Sequence, residues 1–221
     1  MVKVAINGLG RIGRAFFKLA VKNPEINLVA VNDLGDPANL AYLLKYDSAY
    51  GQFDGEIKFE DGKLMTAGKS ARFFQEKEPT NLPWAELGVD VVLESTGVFE
   101  AYGKSKAHLD AGARKVVISA PVKDEPAPGI PGGTFLIGIN DDKIADQVIT
   151  SNGSCTTNCA APVIKILDEE KLCSSPNPEV ELSINCAYRL MEAVAPVIVD
   201  PEKDEVYMTP LYYVCLLYTS P

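Results

Sequence analysis

Val2-Lys3-Val4-Ala5-Ile6-Asn7-Gly8-Leu9-Gly10-Arg11-Ile12-Gly13 stands at the start of the chain, and its reading decides the fold. Val2 to Ile6 is a short apolar run rich in β-branched residues, the composition of a buried strand. Three glycines follow at a spacing with mechanical meaning. Gly8 permits a tight turn, Gly10 lets backbone approach a pyrophosphate, and Gly13 lets a helix pack close to the strand. A helical period then covers residues 12–21, with Ile12, Phe16, Leu19 and Ala20 expected on one face. Arg11 and Ile12 fall in the turn beside the pyrophosphate position. A second strand over residues 27–31 ends at Asn32-Asp33. Asp33 lies twenty positions after Gly13, where an acid takes the ribose hydroxyls of a dinucleotide. Its charge repels a 2′-phosphate, which favours NAD over NADP. A glycine-rich loop with a capping acid is the plainer reading of the same residues. Strand before and helix after favour the dinucleotide.

The chain continues in the same alternation. Asp36-Pro37 reads as an N-cap followed by proline at the first helical position, opening a helix over residues 38–46. Between Gly55 and Phe74 the apolar period shortens to two, with Asp61-Gly62 as the turn of a hairpin and a further strand at residues 71–74. Such a hairpin is read as decoration on the fold. Residues 89–93 form a continuous apolar run, a buried parallel strand, ending in Glu94-Ser95-Thr96-Gly97. Ligands bind at such carboxyl ends in open α/β sheets. A helix over residues 101–111 carries His108, whose lysine and aspartate neighbours suggest an exposed or half-buried position. Strands are expected at residues 115–119, 134–139 and 147–150, around a proline- and glycine-rich loop at residues 123–133. The fold expected is α/β, a Rossmann-type doubly wound and mostly parallel sheet.

Composition narrows the function classes. The formal charge of −9 argues against nucleic acid or an anionic membrane as main partner. No apolar run reaches the roughly 18 residues of a membrane span. Five cysteines at irregular spacing do not outline a disulfide framework, and a single histidine makes a zinc cluster improbable, so no metal is expected. A reducing, cytoplasmic setting fits these features.

Thr150-Ser151-Asn152-Gly153-Ser154-Cys155-Thr156-Thr157-Asn158-Cys159 sets a cysteine on small polar ground ahead of an apolar run over residues 160–167. Ser154 reads as an N-cap, which puts Cys155 in the first turn of a helix. The unpaired N–H groups and positive dipole end there favour an anion, and a thiolate is one. By itself the stretch fits an activated nucleophile and a capped structural cysteine equally. Behind a dinucleotide pattern, the nucleophile is favoured.

The segments AINGLGRIGR (residues 5–14), VND (31–33), ESTGVF (94–99), KVVISAP (115–121) and SNGSCTTNCAAP (151–162) resemble glyceraldehyde-3-phosphate dehydrogenase. The resemblance runs to about Glu170. It implies NAD-dependent, phosphorylating oxidation of glyceraldehyde 3-phosphate: a cysteine thiolate attacks the aldehyde, hydride passes to NAD, and inorganic phosphate cleaves the thioester. By the same resemblance Cys155 is the nucleophile, and Ser154 and Thr156 hold phosphate. Asp33 takes the adenosine ribose and Lys77 the adenine side. Thr96 and Ser119 lie between pyrophosphate and nicotinamide. Cys159 resembles a second family cysteine without catalytic role, and the family assembles as a homotetramer. Erythrose-4-phosphate dehydrogenase, a close relative, and a non-catalytic NAD-binding fragment are the alternatives.

From Lys171 the resemblance ends. The family's histidine, in a Thr-Val-His-like segment after the nucleophile, has no counterpart, since no histidine follows His108. The remaining sequence is proline-punctuated, with a possible strand over residues 194–199 and an aromatic run over residues 211–218. The organisation expected is a dinucleotide domain over 1–150, the start of a catalytic domain over 151–170, and an unmatched, truncated or chimeric tail over 171–221.

Overall fold

The computed structural model describes residues 1–66, 68–169, 199–200 and 205–206. The first strand, β1 (Val2–Asn7), is the centre of the sheet and is buried from Val4 to Asn7. It pairs in parallel with β2 (Ile26–Asn32) on one side and β6 (Val91–Glu94) on the other. Outward from β2 comes β5 (Lys69–Phe74), parallel to it. Outward from β6 come β7 (Lys115–Ile118), β9 (Ile149–Ser151) and β8 (Gly132–Thr134), all parallel. The order β5-β2-β1-β6-β7-β9 is that of two mononucleotide-binding halves diverging from β1. The fold is thus α/β and doubly wound, as expected.

The hairpin expected between Gly55 and Phe74 is β3 (Ile57–Glu60) and β4 (Lys63–Thr66). It adds antiparallel to β5 and extends the same sheet to nine strands. Its turn needs positive φ at two successive residues, and Asp61 (50°) and Gly62 (71°) supply them.

Strand alternation divides the core between two faces. Val4 and Ile6 of β1, Val31 of β2 and Leu93 of β6 pack on one face with Phe17, Leu40 and Leu44. Ala5, Ala30 and Val92 point the other way, towards Leu82, Trp84 and Val89. The first face is covered by α1 (Arg11–Ala20) and α2 (Pro37–Lys45), whose Asp36 cap accepts from the Asn39 N–H at 2.8 Å. The second is covered by the short α3 (Trp84–Leu87) and by the end of α4 (Tyr102–Asp110).

Three expectations are corrected. In α1 the buried residues are Gly13, Phe17 and Ala20, while Leu19 is 69% exposed. The close seat of Gly13 on the glycine turn fixes the helix's rotation, and its i, i+4, i+7 partners follow it inward. His108 is fully buried, because α4 packs on Tyr102, Ser105 and His108, whose polar atoms all find partners. The strand placed at residues 134–139 is instead β8. Beyond it Asn140 Oδ1 accepts from the Leu136 N–H (2.9 Å) and Asp141 Oδ1 from the Gly138 N–H (3.0 Å), so a side-chain-closed turn replaces extended chain.

Residues 1–135 and 142–153 form one compact unit, and residues 136–141 with the chain from 154 form a second. The second unit contains α5 (Cys155–Glu169), bearing Pro162 in its interior, and the strand pair β10 (Val199–Asp200) and β11 (Glu205–Val206). The expected strand over 194–199 and the aromatic run over 211–218 lie outside the described residues, Val199 excepted.

Beyond α2 the chain is tied to α1 by an ion pair, Lys18 Nζ to Asp47 Oδ2 at 2.7 Å. Lys18 and the Tyr50 and Ala49 N–H groups hold the Asp47 carboxyl down at about 2. A carboxyl lowered in the folded state stabilises above its unfolded value near 3.8 and loses that contribution as pH falls towards 2. Allowing for solvent screening, Asp47→Asn is expected to cost about 1 kcal/mol. In urea titrations the gap between variant and parent should hold from pH 7 to 5, narrow below about pH 4 and close only near pH 2. A gap undiminished at pH 2.5 would show that the ion pair is not its source.

Candidate functional site

At the carboxyl ends of β5, β2, β1 and β6, on either side of the point where strand order reverses, lies a crevice of about 490 Å³. The glycine turn forms its floor. Gly8 has φ +97°, and a Cβ there would lie 2.8 Å from the Ser95 carbonyl, so both conformation and space demand glycine. A Cβ on Gly13 would sit 1.9 Å from the Gly8 carbonyl oxygen. Ser95 Oγ donates to that same oxygen at 2.7 Å and locks the end of β6 onto the turn. Gly10 is different: a Cβ would meet only the Ser95 oxygen, at 3.8 Å. Nothing inside the protein requires glycine at position 10, whereas a group lying against the turn would. Gly10 is also the N-cap of α1 and supplies no side-chain cap, which leaves the leading N–H groups for an external anion. The arrangement therefore fits a pyrophosphate.

Asp33 follows β2 and lines the crevice. Its Oδ2 accepts from the Leu9 N–H at 2.6 Å and its Oδ1 from the Gly35 N–H at 2.7 Å, so it ties the glycine turn to the β2 loop. Lys77, exposed after β5, lines the same wall. Thr96 lines the opposite wall; its hydroxyl donates to Glu94 Oε1 (2.5 Å) and accepts from the Val98 N–H (3.1 Å). Ser119, one strand further along after β7, donates its N–H to the Glu94 carbonyl. Arg11 and Ile12 form the first turn of α1 on the exposed side of the glycine loop.

Sequence reasoning passed over Asn7, Asn32 and Glu94. Each is the last residue of its strand, directly after an apolar run, and all three are buried. That repeated position was the available signal.

In the second unit, Ser154 caps α5: its Oγ accepts from the Thr157 N–H at 3.0 Å, and its carbonyl accepts from the Asn158 N–H at 3.0 Å. Thr157 Oγ1 returns the contact, 2.7 Å from Ser154 Oγ. Cys155 is the first helical residue, with its Sγ 3.9 Å from Thr156 Oγ1. Cys155 carries a free thiol. The first turn thus places Ser154, Cys155 and Thr156 together, as expected. Ser154→Ala should destabilise this helix end by about 1 kcal/mol and slow alkylation of Cys155, both measurable on the folded chain. Unchanged alkylation would mean that the cap plays no part in the thiol's reactivity.

Comparison with known proteins agrees with this geometry. Residues 2–102 match the family model described as glyceraldehyde 3-phosphate dehydrogenase, NAD binding domain. Glyceraldehyde-3-phosphate dehydrogenase of Coccidioides immitis is 49% identical over 171 residues, 76% of this chain and 49% of the relative. The Escherichia fergusonii enzyme of the same name is 48% identical over 168 residues, again 76% of this chain and 49% of the relative. Glyceraldehyde-3-phosphate dehydrogenase A of Escherichia coli K12 is 48% identical over 168 residues, with the same coverage. The chain spans about half the length of these curated relatives. Residues 2–102 thus match the NAD-binding domain of glyceraldehyde-3-phosphate dehydrogenases, and NAD is the cofactor of that domain.

Proposed function

We propose that the protein serves the NAD-dependent, phosphorylating oxidation of glyceraldehyde 3-phosphate, contributing the cofactor site and the nucleophile. The observation that carries this reading is the crevice at the strand-order reversal, floored by a glycine turn that leaves room at Gly10 for a ligand. When bound, NAD accepts a hydride. In this reading Asp33 receives the adenosine ribose, Lys77 flanks the adenine, Gly8 to Gly13 receive the pyrophosphate, and Thr96 and Ser119 line the way to the nicotinamide. Cys155 attacks the aldehyde carbon, and Ser154 and Thr156 orient phosphate. A thiol suits this role because a covalent acyl intermediate divides one hard transfer into two easier ones.

The chain's single histidine supports a more exact reading of its own capacity. His108 is buried between Trp84 and Glu94, with both ring nitrogens engaged, so it cannot serve as base to Cys155. Losing a positioned general base costs about 10²–10⁴ in rate. We therefore expect the polypeptide alone to bind NAD with little turnover. Titration should change NADH fluorescence, while glyceraldehyde 3-phosphate plus inorganic phosphate should give no measurable NADH at 340 nm. Turnover abolished by Cys155→Ser would overturn the low-turnover reading, and absence of NADH binding would overturn the cofactor reading. Iodoacetamide separates a structural thiol from a nucleophile: a structural Cys155 reacts no faster than free cysteine. Turnover with erythrose 4-phosphate alone would reassign the substrate. The proposal carries with it a cytoplasmic setting and homotetrameric assembly. Among the described residues no helix is long and apolar enough to cross a membrane.

A further inference from the structure

Beneath the crevice, a line of buried side chains crosses three strands, β6, β1 and β2, and reaches the backbone just after β5. Glu94 Oε2 accepts from Asn7 Nδ2 (2.6 Å) and from His108 Nε2 (3.0 Å); its Oε1 accepts from the Thr96 N–H (2.8 Å) and the Thr96 hydroxyl (2.5 Å). Asn7 Oδ1 accepts from Asn32 Nδ2 (2.7 Å). Asn32 in turn grips the backbone of Glu76, accepting its N–H at 2.8 Å and donating to its carbonyl at 2.9 Å. Asn7, Asn32, Glu76 and Thr96 all line the crevice; Glu94 and His108 stand behind them.

Both ends of this line are fixed by groups that cannot exchange donor for acceptor. At one end the Glu76 backbone dictates how the Asn32 amide lies, and Asn32 dictates the Asn7 amide. Asn7 must therefore present its NH₂ to residue 94. At the other end Trp84 Nε1 can only donate, and it points at His108 Nδ1 at 3.1 Å. Nδ1 is thus the acceptor, so Nε2 carries the ring proton and also presents a donor to residue 94. The two Thr96 donors complete the set. Four donors converge on one side chain, and only a carboxylate offers acceptors on both oxygens.

We propose that Glu94 is the positioning residue of the cofactor crevice: with His108 held by Trp84 behind it, it sets Thr96 on one wall and, through Asn7 and Asn32, Glu76 on the other. This rests on the reading that the crevice binds NAD. The consequence is that neither wall can be moved alone, because both report to one carboxylate.

The test compares NADH dissociation constants by calorimetry on the full chain. Glu94→Gln keeps shape and volume but turns one acceptor into a donor that faces donors, and no amide flip can relieve it. It should weaken NADH binding about tenfold or more. His108→Gln, whose amide can accept from Trp84 and donate to Glu94, should stay within about threefold of the parent; His108→Leu should lose affinity as Glu94→Gln does. Leu64→Ala, in the core on the opposite face of the sheet from Trp84, supplies a control of matched or greater loss in Tm with unchanged NADH affinity. Parent-like affinity in Glu94→Gln overturns the proposal. So does an affinity loss in Leu64→Ala equal to that in Glu94→Gln, which would mark the effect as general destabilisation. Should Glu94→Gln fail to fold, the contrast between His108→Gln and His108→Leu decides alone. Failure of the parent itself to bind NADH overturns the cofactor reading instead, and is recognised before any variant is made.

Discussion

Gly13→Ala is expected to be the most damaging single methyl in the molecule. The added carbon would stand 1.9 Å from the Gly8 carbonyl oxygen, and the obstacle is backbone, which cannot rotate away. Relief requires α1 to lift from the turn, pulling Phe17 and Ala20 from the core they share with β1 and β2. Overpacking typically costs about 1–3 kcal/mol, and a backbone obstacle belongs at or above the upper end. A loss of about 3 kcal/mol or more, or roughly 6–12 °C in Tm for a chain of this size, should accompany loss of NADH binding. Gly10→Ala is the informative partner. Its methyl meets only the Ser95 oxygen at 3.8 Å, so stability should stay within about 0.5 kcal/mol while NADH affinity falls at least about tenfold. Thermal melts report the packing loss and calorimetry the binding loss, so the pair can be compared on both scales. Equal destabilisation by both substitutions would refute the distinction between a packing glycine and a ligand-facing one.

Asp33→Ala should have the largest effect on ligand choice. Its carboxylate holds the Leu9 N–H at 2.6 Å and the Gly35 N–H at 2.7 Å, so it shapes the glycine turn as well as facing the crevice. Hydrogen bonds to a charged group contribute about 1.5–3 kcal/mol each, and half-burial argues for the lower figure. Together with a lost ribose acceptor, the change should raise the NAD dissociation constant about 100-fold and lower stability by about 3 kcal/mol. NADP should be affected less, because the negative charge that opposes its 2′-phosphate is removed with the side chain. Parallel titrations with NAD and NADP measure the ratio. An unchanged NAD-to-NADP preference would leave Asp33 a purely structural tie.

The sheet was legible because its elements carry local signals. The apolar runs of β1, β2 and β6, the Asp36-Pro37 helix start and the Asp61-Gly62 turn each state their conformation within a few residues. The glycine turn was legible for the same reason, since each glycine has its own steric duty. His108 was not legible. Its neighbours in sequence are polar, while its neighbours in space, Trp84 and Glu94, lie 24 and 14 positions away. Nothing local in α4 announces that a polar face is buried. The end of the strand expected beyond Thr134 was hidden similarly, because Asn140 and Asp141 close a turn through side-chain acceptors that an apolar run does not reveal. The rotation of α1 failed for a subtler reason. Periodicity weighed large residues, whereas the contact was set by the smallest one.

Trp84 is the only tryptophan in the sequence, and it is fully buried against His108, 6.4 Å between ring centroids. All indole emission from this protein therefore comes from one place in the first compact unit. A denaturant titration followed at tryptophan wavelengths reads that unit alone, while far-ultraviolet circular dichroism also reads α5 of the second. Superimposed curves would mean that the two units melt as one cooperative body. Curves that part would give each unit its own stability, without a label, a cleavage or a mutation.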